Sequence, residues 1–379
     1  MRSISELAIA HLPEHLAVRL AHWRTRPGAV VWQPGPVQSG SAAVGRRLAD
    51  GIILFDGQMV QTKTSHPWDL EAPNAVWAEK LHGHGWLDDA VAADDPAVWS
   101  VLNEWVWVWL DRHEDASGPG WRPDLVARRM VRWINYTVPL LRGQPVVRSD
   151  TFFRALGAHL RFLGARWHQT EPGGERIEAL AGLLYGLISL EGDSTATRRA
   201  LQDLAEAAEK TIGPDGAIAS RNPAELASIV EQLIWIDDAV RDLNLETAVG
   251  HAAALRRAVP VLRSLMAEDG SLPRFHGSDG GPGSSLIETL DRAPGPHSAP
   301  PNPAMGYLKL EAGGAVAIVD AAPTPKRPTS AHSSGLALEF SVDNQPILIN
   351  RGSGRTFGDK ARRLGRRRGS HTSIEVAGA

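Results

Sequence analysis

SAHSSGLALEFSVDNQPILINRGSG, residues 330–354, is the stretch on which the fold assignment turns. Apolar and polar residues alternate from Leu336 to Asp343. Leu336, Leu338, Phe340 and Val342 fall to one face of a strand, and Ala337, Glu339, Ser341 and Asp343 to the other. MGYLKLEA, GAVAIVD, PILIN and TSIEV keep the same period of two around it, separated by Gly, Pro and Asn. Upstream the period is helical. AVWSVLNEWVWVWLDR (97–112) reads as a helix buried on most of its circumference. Ile177, Leu180, Leu184, Leu187 and Ile188 recur at helical spacing, as do Leu226, Ile229, Val230, Leu233 and Val240. Turn chemistry such as GPDG (213–216) and EDGSLP (268–273) punctuates this array, which suits paired antiparallel helices.

The change of period divides the chain. Residues 1–75 read as a mixed N-terminal extension, 76–276 as a helical domain, 277–303 as a Gly/Pro-rich linker and 304–379 as the start of an antiparallel β domain. With 379 residues and 43% hydrophobic content there is material for two domains, which excludes general disorder. A net charge of −3 gives no overall pull toward nucleic acid or a membrane. The absence of cysteine excludes disulfides and thiolate chemistry. The first residues, MRSISELAIAHLPEHLAVRL, carry Glu6 and Glu14 in place of an unbroken apolar run. No signal peptide is read there, so the cytoplasm is the default compartment. No apolar stretch approaches the ~20 residues that span a bilayer.

GWRPDLVARRMVRWINY (120–136), GGERIEALAGLLYGL (173–187), GPDGAIASRNP (213–223), GYLKL (306–310), the 330–354 stretch and RRRGSHTSIEVAG (366–378), in that order, resemble the heparinase II/III family of polysaccharide lyases. The resemblance implies an α+β multidomain fold: an incomplete (α/α) toroid of paired antiparallel helices, then an antiparallel, sandwich-like β-sheet domain. It also implies β-elimination on an acidic, uronic-acid-containing polysaccharide in a cleft between the domains. A base removes the proton beside the uronate carboxylate, a second group neutralises that carboxylate, and an acid protonates the leaving oxygen.

Carried over by motif, His332 stands where the second histidine of the family's His-x-His-x-Asp signature falls, with Ser330 and Ser334 in place of its first histidine and its Asp. His371, followed by Thr372, matches the histidine of a later strand. Some members hold a structural divalent metal such as zinc through such histidines and an Asp. Asn350 stands at that third position and is a poorer ligand, so no cofactor is expected. Glu175 and Arg176 replace a customary Asn-His or Asn-Arg pair, and Glu225 stands where a catalytic Tyr is usual.

The expected roles follow. His332 is base or site organiser, Arg176 or Arg221 neutralises the carboxylate, and Tyr307 or His371 is the acid. Arg221, Asn222, Arg351 and Arg355 bind substrate, although Asn222, before Pro223, reads equally as a helix N-cap. From Arg351 to His371 eight Lys or Arg residues face one acid, Asp359, an excess suited to a polyanionic glycan or simply to a solvated loop. Tyr136 and Tyr185 read as core, the tryptophans as core fillers or as a sugar-stacking wall. The pairs Asp88–Asp89, Asp94–Asp95 and Asp237–Asp238 read as solvated faces and caps. Two rival functions stay open: a binding protein for an envelope or capsular glycan on the same fold, and a toroid glycoside hydrolase. Family membership would favour the periplasm or envelope over the cytoplasm. Because TSIEV ends close to Ala379, the β domain is expected to be cut short, with an open edge or an exposed apolar face on its last strands.

Overall fold

The computed structural model describes residues 30, 32, 40–62, 66–113, 120–192, 194–246, 248–281, 283–294, 302–325 and 331–373. The chain forms two compact units, one from residues up to 204 with 242–246, the other from 205–241 with 247 onward.

In the first unit a helix Ala42–Ala49 precedes a two-stranded antiparallel hairpin, β1 (Ile52–Phe55) and β2 (Gln58–Gln61). Helices follow at Ala75–His82, Trp86–Ala92, Pro96–His113, Pro123–Asn135, Val146–Arg166 and Gly174–Glu191. Their apolar stripes are buried as the spacing predicts: Ile177, Leu180, Leu184 and Ile188 are fully enclosed. Trp105, Trp109, Trp121 and Trp133 are buried too, which favours core filling over an open sugar-stacking wall, while Trp99 is half-exposed.

At the centre of this core lies Arg129, fully buried. Its guanidinium is 4.0 Å from the Trp109 ring centroid and also faces Trp121 and Trp133. It donates to His159 Nε2 at 2.9 Å and to the carbonyls of His82 and Gly120. Aromatic faces and neutral acceptors thus solvate a cation that burial alone would push out.

Asp88 corrects the solvated reading given to the acidic pairs. It is buried, pairs with Arg132 at 3.0 Å and accepts the Tyr136 hydroxyl at 2.8 Å. Asp237 is likewise buried against Arg241, whereas Asp95 caps the backbone N–H of Ala97 as expected. Tyr185 donates to Asn135 in the core.

The second unit carries helices Pro223–Asp242, Val249–Leu265 and Ser284–Asp291 and one four-stranded antiparallel sheet. Its strands, β3 (Tyr307–Ala312), β4 (Ala315–Asp320), β5 (Leu338–Val342) and β6 (Gln345–Leu348), pair in chain order. The helical-then-antiparallel order read from the sequence is therefore the fold.

Register sorts the sheet into two unlike faces. Leu308, Val319 and Leu338 form one cross-strand row, and Leu310, Ala317, Phe340 and Leu348 the next. That face is apolar yet part-exposed, with Leu310 at 52% and Leu348 at 46%. The opposite face carries Tyr307 paired with Asp320, and Lys309, Ile318 and Glu339 in a row. All four positions of β6 are exposed, and among the described residues no strand pairs beyond it. Leu336 falls before β5, left-handed at φ 59° and exposed. Of TSIEV only Thr372 and Ser373 are among the described residues, and Ser330 is outside them.

Candidate functional site

Within the second unit the structure gathers His332, His371, Tyr307, Arg221 and Asn350 around the polar face of the sheet. Arg221 precedes the helix Pro223–Asp242 in a left-handed conformation, φ 52°. Its guanidinium donates to the carbonyls of Met305 (2.9 Å), Gly306 (3.1 Å), Ala322 (3.2 Å) and Pro323 (2.9 Å), and to Asp320 Oδ1. These bonds clamp both ends of the β3–β4 hairpin. Gly306, at φ 81°, makes room for them: a Cβ there would lie 2.9 Å from two Arg221 nitrogens. The fork has no N–H left for a substrate carboxylate. The carboxylate that Arg221 neutralises is the protein's own Asp320.

Asp320 also accepts from Ser334 Oγ at 2.7 Å and lies 3.1 Å from His276 Nε2. Burial acting alone would raise its pKa. The His276 hydrogen bond, the Arg221 charge and the Ser334 hydroxyl together hold it below the ordinary value. His276 Nδ1 accepts the backbone N–H of His332 at 3.1 Å, so in the neutral ring the proton sits on Nε2 and faces Asp320. A continuous chain results, from the His332 backbone through His276 to Asp320 and Arg221. His276 and Asp320 were not singled out in the sequence. The one signal was Asp320 closing the apolar run VAIVD at an inward position, where an acid needs a partner.

Tyr307 is fully buried, stacked on Phe275 at 4.9 Å, and its hydroxyl donates to the Arg221 carbonyl. Burial raises its pKa well above the usual phenol value. An acid expected to meet a leaving oxygen is here a bond inside the core. Asn222 takes the cap: its Oδ1 accepts from Ala224 N at 3.0 Å and Glu225 N at 3.2 Å. Arg176 belongs to the first unit, where its Nη2 donates to the carbonyls of His168 and Thr170 and closes the turn before its helix.

His332 is 3% exposed, and its ring centroid is 5.3 Å from that of His371. Burial, followed by the positive potential of His371, His276, Arg366 and Arg362, lowers its pKa to about 3. Burial and then His276 lower that of His371, against the opposing charge of Asp320. Both shifts favour the uncharged imidazole. Arg351 and Arg355 lie on the exposed basic segment, with Lys360, Arg363, Arg367 and Arg368 also exposed. No ion pair to these six appears among the described residues.

Residues 294–379 match the family model described as heparinase II/III-like, C-terminal. This segment is heparinase II/III-like. Over 322 residues the chain is 23% identical to FtsZ-localized protein C of Caulobacter vibrioides, covering 84% of this chain and 55% of that protein. The chain thus spans about half the length of the curated relative it matches. A crystal structure of heparinase III aligns with a TM-score of 0.66 at 15% identity, over 96% of this chain and 67% of that one. Heparan sulfate lyase HepC from Pedobacter heparinus aligns at 0.52 and 13% identity, over 93% and 63%. At such identities the likeness to solved structures establishes the fold.

The donor set of the heparinase II/III-like segment does not fit a structural zinc. His332 Nδ1 and His371 Nε2 are buried without hydrogen-bond partners, which leaves two imidazoles to offer. The third group, Asn350 Oδ1, is a neutral oxygen already accepting the Thr372 N–H at 3.2 Å. No cluster of three His, Cys, Asp or Glu residues suited to a metal occurs among the described residues.

Proposed function

We propose that this chain uses the lyase fold to hold an acidic, uronic-acid-containing polysaccharide without cleaving it. One observation carries the reading: in the second unit Tyr307, Arg221 and His332, expected to act as acid, neutraliser and base, are committed to the interior, while His371, the alternative acid, is half-buried beside His332. Tyr307 bonds a carbonyl, Arg221 binds Asp320, and His332 is buried. A base whose conjugate acid has a pKa of about 3 is also poorly matched to proton abstraction near neutral pH. The open cations of 351–368 supply what binding needs, a field that attracts a polyanion. FtsZ-localized protein C is named for a location, which agrees with a non-catalytic role.

The fold likeness to heparinase III and to a heparan sulfate lyase favours the second reading, a lyase that draws its acid and base from other residues. A panel of uronic-acid polysaccharides separates the two. The binding reading expects saturable, salt-sensitive binding and no ultraviolet-absorbing unsaturated uronate. Accumulation of that product establishes the lyase, and release of reducing ends without it establishes a hydrolase.

A further inference from the structure

We infer that the adjoining rings of His332 and His371, with Asn350 hydrogen-bonded to the second, form a lock that rejects a divalent cation, and that the amide of Asn350 is what makes it so. The orientation of this amide is fixed from two sides. Nδ2 donates to Glu339 Oε1 at 3.3 Å, and Oδ1 accepts the Thr372 N–H at 3.2 Å. The oxygen therefore faces His371 Nδ1, 3.1 Å away. Two facing acceptors would repel, so Nδ1 carries the hydrogen and donates, which leaves His371 Nε2 as a bare lone pair. That nitrogen is buried and makes no hydrogen bond of good distance and angle, although the Gly365 backbone also bears on the ring, and His332 Nδ1 in the adjoining ring is likewise unpartnered.

Two unpartnered imidazole nitrogens make half of a metal site. What completes such a site is negative charge and at least one further donor, because a divalent ion gives up its hydration only for charged or multiple ligands. Asn350 supplies neither. Its oxygen orients His371 in the manner of an outer-shell partner. The adjacent carboxylate, Glu339, is turned to the backbone N–H groups of Asn350 (2.9 Å) and Arg274 (3.2 Å). The lock joins β5, the Asn350 turn and the segment at 371–372, with the Glu339 carboxylate held by the Asn350 backbone and amide nitrogen. One change, Asn350→Asp, supplies the missing negative charge beside the two imidazoles.

The test uses zinc as probe. The intact wild-type chain, loaded with Zn2+ and dialysed, is expected to retain less than a tenth of an equivalent, and its Tm is expected to be the same with zinc as with chelator. Asn350→Asp is expected to retain one equivalent and to gain several degrees of Tm on adding zinc, a gain lost again in Asn350→Asp/His371→Ala. A wild type that retains one zinc and releases it on His371→Ala overturns the inference. So does a folded Asn350→Asp chain that gains none. Should that variant fail to fold, 15N spectra of wild-type histidines decide. The expected result is His371 protonated on Nδ1 with resonances unmoved by zinc; a proton on Nε2, or a zinc-induced shift, overturns it.

Discussion

Arg221 is 9% exposed and has every N–H bonded, while Arg351, Arg355, Arg363, Arg367 and Arg368 lie open on the same unit without ion pairs among the described residues. The closed region spends its hydrogen bonds within the protein. The open region leaves its cations in solvent, where the proposed function needs them. Residue type alone does not separate them, since both present arginine and both adjoin histidines. Commitment of hydrogen bonds separates them, and on the proposed function it gives stability to one and binding to the other.

The largest expected effect comes from breaking the closed region. Arg221→Met leaves Asp320 buried without its cation and removes four carbonyl bonds. Loss of one partner of a buried pair costs about 3–5 kcal/mol, which denaturant unfolding should register as loss of the second unit's transition. A variant that unfolds like wild type would mean that Arg221 is free for substrate after all.

Acid sharpens the same contrast. His332 has a folded pKa of about 3, against about 6.5 in an unfolded chain. Above the latter value neither state binds a proton and stability is complete. As pH falls from about 6.5 toward about 3 the unfolded chain takes up a proton that the folded one refuses, so stability falls throughout that window. His332→Gln is expected to flatten this slope in the second unit. His82, whose pKa burial also lowers to about 3, keeps the slope in the first. An unchanged slope for the second unit would move the acid sensitivity elsewhere.

Tyr307→Phe removes one buried hydrogen bond and leaves the Arg221 carbonyl with one partner fewer, a cost of about 1–2 kcal/mol. Polysaccharide binding should be untouched, and a selective loss of it would return Tyr307 to the site. The smallest stability effect belongs to the open region. Arg363→Glu and Arg367→Glu should shift stability by less than about 0.5 kcal/mol, yet each should weaken polyanion binding about twofold to fivefold at low salt. Equal binding by these variants would remove the basic segment from the account.

Much of this unit was legible as a sequence, and the part that was not has a physical cause. Alternation placed Leu338, Phe340 and Val342 on one face, and Asn222 before Pro223 announced its cap. Periodicity reports which side a residue faces but not what waits there. The Asp320–Arg221 bond closes a separation of 99 residues and depends on a left-handed Arg221, which no local pattern calls for. His276, also left-handed at φ 47°, lies in RFHG without a spacing that marks it. Motif resemblance singled out His332 and His371, whose rings lie 5.3 Å apart. It could not convey that burial favours their uncharged forms, or that Tyr307 turns inward.

The claim that this lyase fold holds its polymer without cutting it is tested most directly by continuous ultraviolet absorbance of purified chain with a uronic-acid polysaccharide that it binds. The expected trace is flat, with the polymer's length unchanged at saturation. A rising absorbance that disappears in His332→Ala, with that variant still folded, would contradict the account.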